Sequence, residues 1–393
     1  MVHIKVRLAE SPEDREKIYQ LRYDIYVQEM NRKQSFADHS KLQIEEPYDA
    51  TGHLFLAETD EGEVIGTVRI NFRKDGPLEC EELYDMEEFR PYYPNQVSMS
   101  TKLMVKKEYR SSAAASMLCM KIYEHARENG IVADFIDTNP HLVRLYNQVG
   151  YRLYKKNIDH PDYGNVIPMV FLLDDNVYLK QIHSPFLRLA KRYPASTGLA
   201  ELFQVKFPGY KDIRPLFAMG GDEVWSSIAH DMFLPPDQVL SFLRGFTPEE
   251  SKKLLSMLDL IDYEPGAIVF KQNQESQGLF CVLEGSVEVV VNGEEGKKST
   301  ISILNQGEIF GELGFVAKTS RNADVIVRDR AKLLVLTPNE FQKLELQSPS
   351  LAIKLLTNLF VILAQRFNEM SRRMLTFRTL YETSGEGVNL GNF

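Results

Sequence analysis

The chain has 393 residues, with 46 Lys and Arg against 55 Asp and Glu, giving a formal net charge of −9. A composition of 44% hydrophobic and 26% charged residues is globular and excludes a disordered, collagenous or disulfide-scaffold chain, and the length suits two or three domains. The acidic balance gives no general electrostatic reason to bind nucleic acid, which relies on Lys and Arg displacing phosphate counterions, so no nucleic-acid partner is expected unless through a local basic patch.

The first residues, Met1 to Val6, lack the apolar core of a secretory signal. Over residues 1–175 strand-like and helix-like patterns alternate, which predicts an α/β domain with a mixed sheet flanked by helices. Ser11-Pro12-Glu13-Asp14 reads as a helix start, and Ile18, Leu21, Ile25 and Tyr26 share the face that follows. Strands are expected at 54–58, 64–72 and 98–105, then a helix over 112–129 ending at Gly130. A strand at 134–137, a short helix around 141–148 closed by Gly150, and strands near Tyr151 and over 168–173 complete the unit.

Residues 176–240 are helical pieces broken by prolines and by Gly220-Gly221, a connector in which Trp225 anchors packing. Residues 241–374 hold short β runs separated by Gly266, Gly285, Asn292-Gly293, Gly296 and Gly307, the pattern of an all-β roll with terminal helices. The helix over 350–374 carries Leu356, Leu359, Leu363, Phe367, Met370 and Met374 at steps of three and four, a face that either covers its own barrel or pairs two chains as a homodimer. The most apolar stretch, 355–364, is broken by Thr357 and Asn358, so no membrane span is expected, and 375–393 reads as a flexible tail. Cys80, Cys119 and Cys281 form no C-x-x-C pair, so neither a metal nor a disulfide framework is expected, and a reducing cytoplasm fits.

The sharpest local signal is Phe310-Gly311-Glu312-Leu313-Gly314, followed by Arg321-Asn322-Ala323. Glycines between strands let the backbone close on a ligand, and a helical turn near Gly311 points N–H groups at an anion. Arg321 offers a planar fork for a phosphate, and Glu312 an acceptor for a hydroxyl. These residues resemble the phosphate-binding cassette of the cyclic nucleotide-binding domain family, over about 240–374. The resemblance implies cAMP or cGMP as a regulator, with Glu312 on the ribose 2′-hydroxyl, Arg321 on the cyclic phosphate, and backbone contacts from Gly311, Leu313 and Ala323. Asn322 stands where the family usually has Ser, Thr or Ala. The alternative is a plain Glu312–Arg321 salt bridge in a non-binding roll. Catabolite activators carry this domain too, but 375–393 leaves no room for a helix-turn-helix.

The strand over 98–105 feeds the small-residue loop Arg110-Ser111-Ser112-Ala113-Ala114-Ala115 at a helix start, which exposes backbone N–H groups to a pyrophosphate or phosphopantetheine. The segment resembles motif A of the GCN5-related N-acetyltransferase superfamily, matched by Arg110, Ala113 and Ala115, and residues 139–151 resemble its motif B. Residues 21–30, 46–49 and 66–69 look like the N-acyl amino acid synthase and autoinducer synthase branch. The resemblance implies an acyl-CoA or acyl-carrier-protein donor held by Leu103, Val105, Arg110, Ser111, Ser112, Ala113, Ala115 and Asn139, with Arg22, Asp49 and Arg69 on the acceptor or polar-network side. Met99 and Lys102 stand where autoinducer synthases carry Glu and Arg, which argues against homoserine-lactone synthesis.

An amine attacking a thioester must lose a proton, the oxyanion needs a donor, and the thiolate needs a proton or solvation. Strand N–H groups near 98–103 suit the carbonyl, Tyr146 the leaving thiolate, and Glu29 and Asp49 the amine; His141 and His160 are alternatives. The reading is an amine N-acyltransferase regulated by a cyclic nucleotide, with a small amine or amino acid as acceptor. The alternatives are a cyclic-nucleotide-regulated protein lysine acetyltransferase and a non-catalytic receptor that senses acyl thioester. A wide apolar tunnel would favour long-chain donors, and a short closed one acetyl.

Overall fold

The structure, a computed structural model, describes residues 3–383 apart from 31, 33, 111, 140–141, 161–163, 195–197, 211–214, 231, 233, 275–277 and 293–297. The fold class is the expected one: a mixed sheet flanked by helices, then an antiparallel roll with terminal helices.

The first domain holds β1 (Ile4–Leu8), α1 (Pro12–Tyr23), a short hairpin of β2 (Ala37–Asp38) and β3 (Gln43–Ile44), β4 (His53–Thr59), β5 (Val64–Phe72), β6 (Val97–Val105) and α2 (Ala114–Glu128). It continues with β7 (Ala133–Thr138), α3 (Val143–Val149), β8 (Arg152–Leu153), β9 (Ile158–His160) and β10 (Gly164–Leu172). The main sheet runs β1-β4-β5-β6-β7-β10-β8, with β9 on β10. Ser11 caps α1 by accepting from the Asp14 N–H at 3.1 Å, and Asp14 is gripped by both Nη atoms of Arg7 at 2.6 and 2.7 Å. A π-helical turn, Asp24–Glu29, continues α1. Leu54 and Leu56 of β4 pack with α1 while Phe55 and Ala57 pack with α2, so the two helices cover opposite faces of the sheet.

The connector contains α4 (Asn176–Gln181), α5 (Leu187–Ala190), α6 (Leu199–Lys206), α7 (Gly221–Ala229) and α8 (Pro236–Val239), and Trp225 packs on the core of the second domain. The roll follows: α9 (Pro248–Leu255), β11 (Asp259–Tyr263), β12 (Ile268–Phe270), β13 (Leu279–Asn292), β14 (Lys298–Leu304), β15 (Ile309–Phe310), α10 (Glu312–Ala317) and β16 (Asp324–Leu336). α11 (Pro338–Gln347) and α12 (Pro349–Thr383) close it. Gly285 makes the tight turn inside β13 at φ +79, where a Cβ would meet the Arg330 carbonyl oxygen at 2.2 Å.

α12 departs from the expected boundary at 374 and runs to Thr383, because the sequence offers no glycine or proline after 349 until Gly385; residues 384–393 lie outside the described residues. Its buried face is Leu351, Ala352, Leu355 and Leu359, so only Leu359 of the expected face covers the roll. Ile353, Phe360, Phe367 and Met374, spaced by seven, are 64%, 72%, 64% and 74% exposed. Residues 349–372 of this helix are long and apolar enough to cross a membrane by length and composition alone.

Candidate acyl-transfer cleft and nucleotide cassette

β6 and β7 are the parallel pair in the main sheet, and their ladder stops after Val97–Ala133, Ser98–Asp134 and Met99–Phe135. Both strands continue, so they splay apart. The last rungs are clamped by Asp134, whose two oxygens accept from the Ser98 hydroxyl and the Tyr151 phenol at 2.5 Å each. Burial pushes the Asp134 carboxyl up to about 6 against the pull of these donors. Just beyond, β6 bulges: between Thr67–Met104 and Arg69–Thr101 it holds one extra residue, and Lys102 takes a left-handed backbone at φ +58. A lysine in that region is strained, which is a cost that structures concentrate at functional sites.

The splay opens a cavity of about 150 Å³. Residues 134 and 137 of β7 have opposite parity and serve opposite faces, and the cavity reaches both. On the α2 face it is apolar, walled by Ile122, Ala126, Phe171, Leu173 and Phe186, with Tyr146 and Tyr151 nearer the splay. On the other face it is polar, with Arg32, Glu79, Lys102, Asp137 and His160. Burial is the largest influence on Asp137 and pushes its carboxyl up, while His160 and the Tyr84 hydroxyl pull it down. Burial also raises the Tyr146 phenol, with Cys119 and Asp137 adding to it, so that it stays neutral.

Behind the polar face lies a buried network of three cations and three carboxylates. Arg22 forks onto Asp49 at 2.7 and 2.9 Å. Arg69 reaches Asp49 at 3.1 Å, Glu46 at 2.8 Å and Glu79 at 2.6 Å, and Lys102 reaches Glu46 at 2.8 Å. Burial opposes ionisation of Asp49 and Glu46, yet their cationic neighbours, Arg22 first for Asp49 and Lys102 first for Glu46, hold both below the usual carboxylate range.

Of the residues singled out from the sequence, Tyr146, Leu103 and Asn139 line the cavity, and so does His160. Asp49 does not: it is 1% exposed and engaged by the two arginines, which makes it a strut rather than a proton acceptor. Glu29 is also placed elsewhere, because Arg110 takes its carboxylate at 2.6 Å and links the π-helical turn to the loop before α2. Val105 is buried in β6 beside that loop, and Arg110, Ser112, Ala113 and Ala115 stand at the start of α2, whose first N–H groups have no intrahelical acceptor. Ser111 and His141 lie outside the described residues. Asp134, Asp137, Glu79 and Arg32 were not singled out, since only the splay identifies which positions of β7 face the cavity.

In the second domain Gly311 caps α10 at φ +77, and a Cβ there would meet Arg321 Nη1 at 2.5 Å. Arg321 is 2% exposed and donates to the carbonyls of Gly311 at 2.8 Å and Gly278 at 2.6 Å, with its Cζ 4.1 Å from the Phe270 ring centroid. Burial lowers its pKa to about 10, opposed by Glu312. Glu312 is buried and accepts from Arg366 of α12 at 2.6 Å, while Arg366 also donates to the Ile309 carbonyl at 2.6 Å. Arg366 was missed because an ion pair 54 residues apart leaves no local signal. Ala323 is buried, and Leu313 and Asn322 are exposed at the rim.

Comparison with known proteins assigns both units. Residues 17–172 match the family model N-acyl amino acid synthase FeeM, and residues 260–348 match the cyclic nucleotide-binding domain. The Cyclic AMP receptor protein of Thermus thermophilus is 30% identical over 125 residues, covering 32% of this chain and 56% of that protein. The cAMP-dependent protein kinase regulatory subunit of Schizosaccharomyces pombe is 32% identical over 95 residues, covering 24% and 22%. This chain thus spans about half or less of these relatives' length. The solved Thermus thermophilus Catabolite Activator Protein aligns with a TM-score of 0.32 at 26% identity, covering 35% of this chain and 63% of that one. Residues 17–172 are therefore an N-acyl amino acid synthase domain of the FeeM family, joined in one chain to a cyclic nucleotide-binding domain over 260–348.

Proposed function

We propose that this chain transfers a long acyl group from an acyl thioester, either acyl-CoA or acyl-carrier protein, to the amine of a small acceptor such as an amino acid. A cyclic nucleotide, cAMP or cGMP, bound at Glu312 and Arg321 regulates the transfer. The observation that carries the reading is the cavity at the β6–β7 splay, apolar on the α2 face and polar on the other. The apolar depth supports a long-chain donor over acetyl, and hence a synthase over a protein lysine acetyltransferase. The units proposed from the sequence, 1–175, 176–240 and 241–374, serve as acyl, connecting and nucleotide units.

The acyl tail lies along Ile122, Ala126, Phe171 and Phe186, and the thioester carbonyl faces the bulge at Lys102, whose N–H groups polarise it. The acceptor enters from the polar face. His160 takes the amine proton with Asp137 behind it, the nitrogen attacks the carbonyl carbon, and the carbon–sulfur bond breaks. Tyr146 donates a hydrogen bond to the departing sulfur; its raised phenol suits solvation of the thiolate better than full proton transfer. The proton held by His160 leaves with the thiol product. The N-terminus of α2, with Arg110 beside it, takes the donor's phosphate end.

The test is to incubate the full chain with acetyl-, dodecanoyl- and hexadecanoyl-CoA and an amino-acid mixture, with cAMP, with cGMP and with neither, and to search for N-acyl products by mass spectrometry. Long-chain N-acyl amino acids whose yield changes with one nucleotide are expected. Absence of any product across the panel overturns the enzyme reading in favour of an acyl-thioester sensor.

A further inference from the structure

α3 walls the acyl cavity through Tyr146 and Val149. Its other side carries Arg144, which is 8% exposed because it is set into the nucleotide domain. Arg144 Nε lies 3.2 Å from Glu340 Oε1, and Nη1 lies 3.8 Å from Asp259 Oδ1. Nη1 also donates to the Ser256 carbonyl at 3.5 Å, and Cζ sits 4.9 Å from the ring centroid of Phe217. Asp259 begins β11, Glu340 lies in the first turn of α11, and Ser256 ends α9. Three elements of the second domain thus converge on one side chain of the first.

Both carboxylates are nearly inaccessible, Asp259 at 3% and Glu340 at 4%, and Lys343 reaches Glu340 at 2.6 Å from its solvent side. A buried carboxylate depends strongly on its cation, so this contact has a defined geometry to lose. α11 leads through Ser348 into α12, and α12 carries the Arg366 that occupies Glu312. A ligand that claims Glu312 must displace Arg366, and the α11–α12 pair is the element that touches both ends.

We propose that Arg144 is a positioning residue through which the nucleotide domain sets the place of α3, and with it Tyr146, in the acyl cavity. The proposal rests on the acyl-transfer and nucleotide readings above. Tyr146 follows Arg144 by two positions in the same short helix, so displacement at one is displacement at the other. A guanidinium fork addresses several acceptors on different elements at once, which a lysine ammonium does less well.

Coupling between two sites is reciprocal, so it is measured from both ends. In the full chain, calorimetry gives the affinity for hexadecanoyl-CoA with and without cAMP, and for cAMP with and without hexadecanoyl-CoA. The wild type is expected to show the same shift, about fivefold or more, in both directions. Arg144→Gln and Glu340→Gln, one in each domain so that a folding defect in one leaves the other as the test, are expected to shrink the shift below about twofold. Each should bind either ligand alone as the wild type does, and Arg144→Lys should keep part of the shift. If the wild type couples and both glutamine variants couple equally, Arg144 is only a structural contact and the proposal is overturned. If the wild type binds both ligands with no shift, the regulatory reading itself falls, and this proposal with it.

Discussion

Arg366 donates to Glu312 across 2.6 Å, so the carboxylate of the nucleotide cassette is already bonded to the terminal helix. A ribose hydroxyl bound there as proposed would compete with the guanidinium for one acceptor. Arg366→Gln is expected to tighten cAMP binding by roughly tenfold, the equivalent of one charge-assisted hydrogen bond worth about 1.5 kcal/mol. Arg321→Gln should abolish it. Calorimetry on the full chain checks both, and weaker binding by Arg366→Gln would show that this arginine contacts the nucleotide instead.

Arg69 is fully buried and balances Asp49, Glu46 and Glu79. Arg69→Met leaves three carboxylates with two cations, and the expected loss is about 3–5 kcal/mol. The readout is the urea midpoint of the N-terminal unit. A loss below about 1 kcal/mol, the range of an exposed pair, would mean that the network relaxes into solvent.

Asp134 titrates higher in the folded chain, at about 6, than the ordinary 3.8. The folded state therefore holds a proton that the unfolded state has released. Its contribution to stability is full below pH about 4 and is lost as pH rises through about 6, at up to ~1.4 kcal/mol per pH unit. Asp134→Asn should flatten that part of the stability profile. Denaturation series across this range would reveal an unchanged slope if another group were responsible.

His160→Gln is expected to lower kcat/KM by about 10²–10⁴-fold, the usual worth of a general base. The residual rate should keep rising with pH, as the acceptor amine loses its own proton unaided. Tyr146→Phe keeps the packing and removes the hydroxyl, so kcat should fall while donor affinity holds. A pH profile unchanged by His160→Gln removes this histidine from the chemistry.

Phe360 and Phe367 belong to the exposed seam of α12. A repeat of seven with apolar residues three positions on, Leu356 and Met370 among them, is the pattern of a two-helix seam. Phe360→Glu combined with Phe367→Glu is expected to convert a dimer to a monomer in sedimentation velocity. A wild-type monomer at every concentration would rule the seam out as a dimer contact.

Features written in local chemistry were legible in the sequence: the Ser11 cap, the Gly150 and Gly285 turns, the run from Gly311 to Ala323, and the order of strands 54–58, 64–72 and 98–105. β1 carries the same kind of signal, Ile4, Val6 and Leu8 alternating with Lys5 and Arg7, although the sequence expectation placed no strand there. What stayed hidden was the destination of charges. Glu29 and Asp49 have the residue type of a base, yet Arg110 and Arg22 reach them from 81 and 27 positions away. Asp134 and Asp137 become site residues only because β6 and β7 part after the third rung.

That parting has a further meaning for what can occupy the cleft. Past Met99 and Phe135 the two strands no longer pair with each other, so the middle of the sheet is one strand short. An extended guest carrying amides at strand-like intervals, such as the pantetheine arm of the proposed donor, would have the spacing to lie in the gap and extend the ladder. Recognition of the proposed donor in that way would rest on main chain that no side-chain substitution removes, and a thioester stripped of those amides is then expected to be discriminated against even when its acyl tail is unchanged.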